Sequence, residues 1–261
     1  MENTKTVKAL KKQLVAAIAM VLVAAVALGS STYAWFVTNN KVDATTSTIS
    51  AQSNAAFMTI KNGLEGAHLV DTTTATTDVE TKPLYPATFG EETGSTKGTF
   101  MTGYGTALDD GALEGTLTPI GDPAAAVTKG YALKQDYNIS SKGQNLTKLK
   151  VEKVENAKNV TPTSGLAKAL RVLVTNDDCS AWVVYGLDAT DAAYEVKLSS
   201  EISNSADVVL GTVTAGADTP VHVYLYYEGR DAKVTTKNLQ EGQLTETNAV
   251  TVYFIATADN K

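Results

Sequence analysis

The sequence predicts an all-β fold: an antiparallel β-sandwich, jelly-roll-like, with a loop-rich insertion and a mobile N-terminal strand. Three observations carry this. Apolar and polar residues alternate over several short stretches, the period of a strand with one buried face. Turn-forming clusters rich in Gly, Asn, Asp and Ser separate those stretches. The composition leans to Thr, Val, Ala and Gly with 11 tyrosines, which suits strands better than long helices.

Residues 1–34 read as a secretion signal. Lys5, Lys8, Lys11 and Lys12 precede an apolar run from Leu14 to Leu28, and small residues lead to Thr32-Tyr33-Ala34. The run is short for a spanning helix, which needs about 20 apolar residues, and the order of charge, apolar core and small residue is that of a cleaved export signal. Cleavage between Ala34 and Trp35 would place Trp35-Phe36-Val37 at the new N-terminus.

Residues 35–54 are rich in Thr, Ser and Asn, with sparse apolar positions at Trp35, Phe36, Val37, Val42 and Ile49. So little apolar surface predicts an extended, mobile arm rather than a core strand. The β-sandwich domain is expected over 55–261. It starts with a strand at 55–60, followed by an Asn62-Gly63 turn. Residues 64–130 hold threonine runs, Pro83, Pro86 and Pro123, and predict a loop-rich insertion. Short strands are expected near Phe100–Tyr104 and Leu117–Ile120, and a helical turn after Pro123.

The pattern sharpens from Tyr131. Tyr131, Leu133, Gln135, Tyr137 and Ile139 alternate, and a second strand runs from Thr147 to Asn156. Ala169–Thr175 puts Leu170, Val172 and Val174 on one face, Asn176-Asp177-Asp178 turns the chain, and Ala181–Leu187 follows. Val208–Val213 reads as a short edge strand. Val221–Glu228 sends Val221, Val223, Leu225 and Tyr227 one way and His222, Tyr224, Tyr226 and Glu228 the other. The last strand, Ala249–Ala258, aligns Val250, Val252, Phe254 and Ala256. Several alternating strands with no repeat of 20–50 residues favour two sheets over one core rather than a solenoid.

Charge and residue inventory narrow the function. The chain carries a net charge of −6, and removing residues 1–34 takes away four lysines and Glu2, leaving −9. Nucleic acid as the main partner would demand a basic face. Cys179 is the one cysteine, so no internal disulfide framework exists. His68 and His222 are the only histidines and show no His-Glu-x-x-His spacing. No nucleophile-elbow or phosphate-loop motif is present. Asp109-Asp110 lacks the periodicity of a calcium loop, and no cofactor or metal ligand set is expected. Tyr224, Tyr226 and Tyr253 would suit a contact patch, but cross-strand packing is the commoner use of such residues. The triplets at Asn138, Asn145 and Asn159 match a glycosylation acceptor, a pattern that arises by chance in a Thr-rich chain.

The junction Thr32-Tyr33-Ala34 followed by Trp35-Phe36 resembles that of the TasA/camelysin family of Gram-positive bacteria, in which a SipW-type signal peptidase cuts after an aromatic-Ala pair. Val42-Asp43-Ala44-Thr45 leading to Ile49-Ser50-Ala51 resembles the family's mature N-terminal region, and the terminal VTVYFIAT its closing strand. The resemblance implies a jelly-roll subunit of extracellular fibres, with the N-terminal segment of one subunit completing the sheet of the next by β-strand addition. Some members are classed as metallopeptidases; with two histidines and no zinc motif this chain is not expected to be an enzyme. The expectation is a secreted structural subunit of a surface or biofilm-matrix fibre, with Trp35, Phe36, Val37, Val42 and Ile49 in the donor strand. Its partners are further copies head to tail, the SipW-type peptidase, and other matrix or cell-surface components. The alternative is a membrane-anchored monomeric surface-binding module or adhesin that keeps Leu14–Leu28 uncut.

Overall fold

The computed structural model describes residues 47–53, 57–79, 84–91, 97–102, 117–156, 167–188, 193–197, 207–231, 234 and 250–258, with Ile18 and Met20 as isolated helical positions. The described residues form an all-β sandwich of two large sheets, with a third, smaller sheet laid on one of them.

The first large sheet has the spatial order β12 (Gly211–Val213), β8 (Leu146–Asn156), β14 (Val250–Ala258), β1 (Ser47–Ser53) and β3 (Thr74–Val79). Every pairing in it is antiparallel except β1 with β14, which is parallel. Strand β14 alternates as the sequence predicts, with Val250, Val252, Phe254 and Ala256 buried. Strand β8 keeps Leu149, Val151 and Val154 inward by means of an extra residue: the register with β14 passes from Lys153 to Val151, so Glu152 is bulged out. A second irregularity falls at Lys148, whose φ is +55°.

The second large sheet has the order β11 (Tyr194–Val196), β10 (Trp182–Leu187), β9 (Leu170–Asn176), β13 (Thr219–Tyr227), β7 (Leu133–Ser141) and β2 (Met58–Asn62), all antiparallel. Its inner face packs Ile60, Tyr137, Ile139, Val172, Val174 and Val223 against the five-stranded sheet.

The outer face of this second sheet is covered as well. The predicted insertion supplies a third sheet, β4 (Thr88–Glu91), β5 (Gly98–Thr102) and β6 (Thr118–Gly121), followed by the helix α1 (Pro123–Thr128). The side chain of Asp122 caps α1 by accepting from the Ala125 N–H at 2.8 Å, and Pro123 sits at its first turn. Phe89 and Phe100 descend from this layer onto Trp182, Tyr224 and Tyr226. His222, Tyr224, Tyr226 and Glu228, the second face of their strand, are therefore buried too. Tyr253 lies on β14 in the other large sheet, so the three tyrosines form no common patch.

One expectation is revised at its C-terminal end. The arm read over 35–54 finishes in β1, an inner strand of the body. Ile49 and Ala51 are its buried apolar side chains, both with no exposed surface. Two suffice, because Val250, Val252 and Phe254 on β14 supply the rest of that part of the core.

Candidate functional site

Strand β1 lies between two neighbours that depend on it differently. On one side it runs parallel to β14, with Ile49 beside Val250, Ala51 beside Val252 and Ser53 beside Phe254. On the other side it runs antiparallel to β3, with Ile49 opposite Thr77 and Ala51 opposite Ala75. Among the described residues, β3 has no other partner in its sheet. Without β1, β14 and β3 would each present a row of unpaired backbone groups, the template that accepts a strand from elsewhere.

The opposite sheet also holds β1. The Tyr137 hydroxyl, on the inner face of β7, donates to the Ile49 carbonyl at 2.6 Å. Tyr137 is fully buried, and burial pushes its hydroxyl well above the ordinary phenol range. A neutral donor there satisfies a backbone acceptor inside the core and fixes where β1 sits along its slot.

The other edges offer less. Strands β11 and β12 have three residues each, and Gly211 opens a register shift beside β8. Strand β6 carries Pro119. Strand β2 closes on β3 and the residues leading into it: the Ile60 N–H donates to the Thr72 carbonyl at 2.8 Å, the Thr72 hydroxyl to the Ile60 carbonyl at 2.7 Å, and the Asn62 amide to the Thr76 carbonyl at 2.8 Å. Among the described residues, short length, irregular register, proline or internal stitching thus blunts each of these edges.

The polar clusters read as clamps. His222 is buried with Nδ1 2.6 Å from Asp136 and Nε2 3.3 Å from Asp177, so both ring nitrogens are committed to carboxylates. Burial would raise the Asp136 carboxyl, but hydrogen bonds from His222 and Lys134 outweigh it and hold the group below the usual range. Asp218 accepts from the Gly66 and Ala67 N–H groups at 2.7 and 2.9 Å and meets His68 Nδ1 at 3.0 Å, fastening the 3-10 turn Ala67–Leu69. Cys179 is buried with its thiol pushed up by burial, which makes it a poor nucleophile. Among the described residues, no three or more His, Cys, Asp or Glu side chains are grouped to hold a metal ion.

Of the cleavage and donor-strand residues expected from sequence, Ile49 is the one among the described residues, buried in β1. Ala34, Trp35, Phe36, Val37 and Val42 lie outside the described residues, as do Asp109-Asp110 and Asn159. Asn138 is buried in β7, which bars a glycan in the folded chain. The run Leu14–Leu28 is described only at Ile18 and Met20, and among the described residues no helix is long and apolar enough to cross a membrane. The alternation over residues 131–139 predicts a half-buried strand through Tyr137 but not its bond to β1, since that partner is 88 residues away.

Among the described residues, fold and slot together define an all-β sandwich whose first described strand is an inner one. Comparison of the chain with protein-family models, curated proteins and solved structures gives no match.

Proposed function

We propose that the chain is a secreted structural subunit of an extracellular surface or biofilm-matrix fibre, in which β1 of one copy fills the slot of the next. The position of β1 carries this reading. It follows the Ala34–Trp35 junction by about a dozen residues, and it is an inner strand rather than an edge. Exchange of such a strand reproduces the same contacts between chains, and a head-to-tail contact of that kind propagates into a filament. The export signal, the acidic mature chain and the resemblance to the TasA/camelysin family support the same reading. A SipW-type peptidase would then release the segment that carries β1.

A reversible lock tests it. Ser50 and Thr76 are antiparallel register partners, and Cα atoms in such pairs lie within disulfide range. The mature chain carrying Ser50→Cys, Thr76→Cys and Cys179→Ala is expected to stay monomeric when oxidised and to form filaments when reduced, seen by electron microscopy. Equal filament formation in both states would sink strand exchange. A reduced, native-sequence chain that remains monomeric at every concentration would favour the adhesin instead.

A further inference from the structure

Among the described residues, β1 shows the core Ile49 and Ala51, both without exposed surface. Ile49 has Thr77 and Val250 as its cross-strand neighbours, whereas Ala51 has Val252 on one side and a second alanine, Ala75, on the other. The inner face of this sheet is therefore shallow at position 51. The opposite sheet answers with bulk. Tyr137 on β7 is among the largest fully buried side chains, and its hydroxyl stands 2.6 Å from the Ile49 carbonyl, in the peptide that leads toward Ala51. Packed sheets lie about 10 Å apart, so a tyrosine that touches the main chain of the facing strand crosses the whole core. It can do so only where the inward side chain beside it is short.

We infer that Tyr137 is the residue by which the slot selects its strand: it admits a large apolar side chain followed two residues later by alanine, and so recognises Ile49 and Ala51 of a second copy. The inference rests on the strand-exchange reading. Slipping the strand by one residue turns Ile49 and Ala51 away from the core and takes the Ile49 carbonyl off the Tyr137 hydroxyl, leaving a buried donor unpaired. Slipping it by two keeps the same face inward. One direction then brings isoleucine to the alanine position, against the Tyr137 ring, and the other brings alanine to the isoleucine position, beside Val250. The first overfills the slot and the second leaves a void, and both cost stability. When a strand is exchanged between identical chains, these contacts are the same before and after and cancel. Two chains with complementary changes at 51 and 137 remove that cancellation.

The test uses two mature chains. Ala51→Val overfills its own slot. Tyr137→Leu underfills it, because Leu keeps the inner half of the ring's place and empties the half nearest β1. In an equal mixture the strand of the first chain fits the slot of the second, and the strand and slot left over are both parental. The mixture is therefore expected to form filaments at a critical concentration about tenfold lower than either variant alone, read by sedimentation. A single chain carrying both changes is the control on fit. As dilute monomer it is expected to melt about 2–4 °C above Ala51→Val, whereas Ala51→Val with Tyr137→Phe, which keeps the ring, gives no such recovery. A chain with Ala51→Val and Tyr137→Leu that melts or folds no better than Ala51→Val overturns the selection and leaves strand exchange, which the disulfide lock tests, standing. Recovery in that chain with no gain on mixing shows that β1 stays in its own slot, which overturns strand exchange and the selection of a second copy with it.

Discussion

The two faces of the six-stranded sheet are buried by different chemistry. Toward the five-stranded sheet, Val172, Val174, Val223 and Leu225 form an aliphatic layer. Toward the three-stranded sheet, Phe89, Phe100, Trp182 and Tyr226 meet edge to face, with ring centroids 4.9 to 5.2 Å apart and planes at 68° to 89°. The outer side also buries charge, with the Arg171 guanidinium 2.6 Å from Asp231 and the Glu228 carboxyl beside it. Aliphatic packing is non-directional and tolerates repacking at constant volume. Aromatic edges and buried charges do not, because their geometry is specific. The inner face therefore supplies most of the cohesion, and the outer face fixes where the third layer sits.

Emptying each side in turn separates the two covers most strongly. Phe254 is fully buried on β14 and Phe100 fully buried on β5. Phe254→Ala is expected to cost about 3–5 kcal/mol and to lower the whole unfolding transition in denaturant. Phe100→Ala removes a similar volume but should loosen the outer layer first. Trp182 reports on that layer, and with Trp35→Phe it is the remaining tryptophan of the chain. In the Phe100 variant its fluorescence is expected to change at lower denaturant than the far-ultraviolet dichroism, whereas in the Phe254 variant the two signals coincide. Coincidence in both variants would mean that the two covers unfold as one unit.

The same contrast explains what could be read from the residues alone. Strand β14 declares itself because one face is buried and the other is not. Strand β13 also alternates, yet its second face is buried, and nothing local to Tyr224 or Tyr226 says that Phe100 will cover them from more than 120 residues away. Strands β3 and β4 carry no such pattern: Thr74–Val79 holds three threonines, and β4 is four residues long with a glycine inside. Ile49 was visible as an apolar position, but not its slot, because the partners that make β1 an inner strand come from residues 74–79 and 250–254. Such non-local pairing is the part of a β fold that period alone cannot carry.

A smaller pair of changes probes tolerance to shape. Gly98 lies beneath Phe89 and Trp182: a Cβ there would overlap the Phe89 ring and stand 3.0 Å from Trp182 Nε1. Gly98→Ala is expected to cost about 1–3 kcal/mol, the range for overpacking, and to shift Trp182 emission. On the aliphatic side, Ile139→Val removes one methylene from a fully buried position and is expected to cost about 0.5–1.5 kcal/mol without moving that emission. Equal costs, or a spectral shift in both, would erase the distinction between a directional and a non-directional face.

The smallest effect concerns Glu228, which ties the outer layer to the end of β13. Its backbone bridges Ala87, just before β4, and its carboxyl accepts from the Arg230 N–H at 3.1 Å. Burial raises this carboxyl above the ordinary glutamate range, outweighing the Arg230 and Thr88 hydrogen bonds and the nearby Arg171. The folded chain therefore holds this proton at a pH where the unfolded chain has released it. Its contribution to stability is intact below the ordinary glutamate pKa and declines as pH rises from there through the folded-state value. Asp136 and Asp218 are shifted the other way, so they cost stability as pH falls, and the raw pH profile mixes both. The difference between Glu228→Gln and the parent isolates the first. The neutral amide retains an acceptor for Arg230 and does not ionise, so the variant's advantage should be near zero around pH 4 and grow toward neutrality, by at most about 1.4 kcal/mol per pH unit. A difference that shrinks with rising pH would show Glu228 ionised in the fold, with Arg171 rather than burial setting its charge, and would turn the outer face from a fitted polar contact into an ion-pair network.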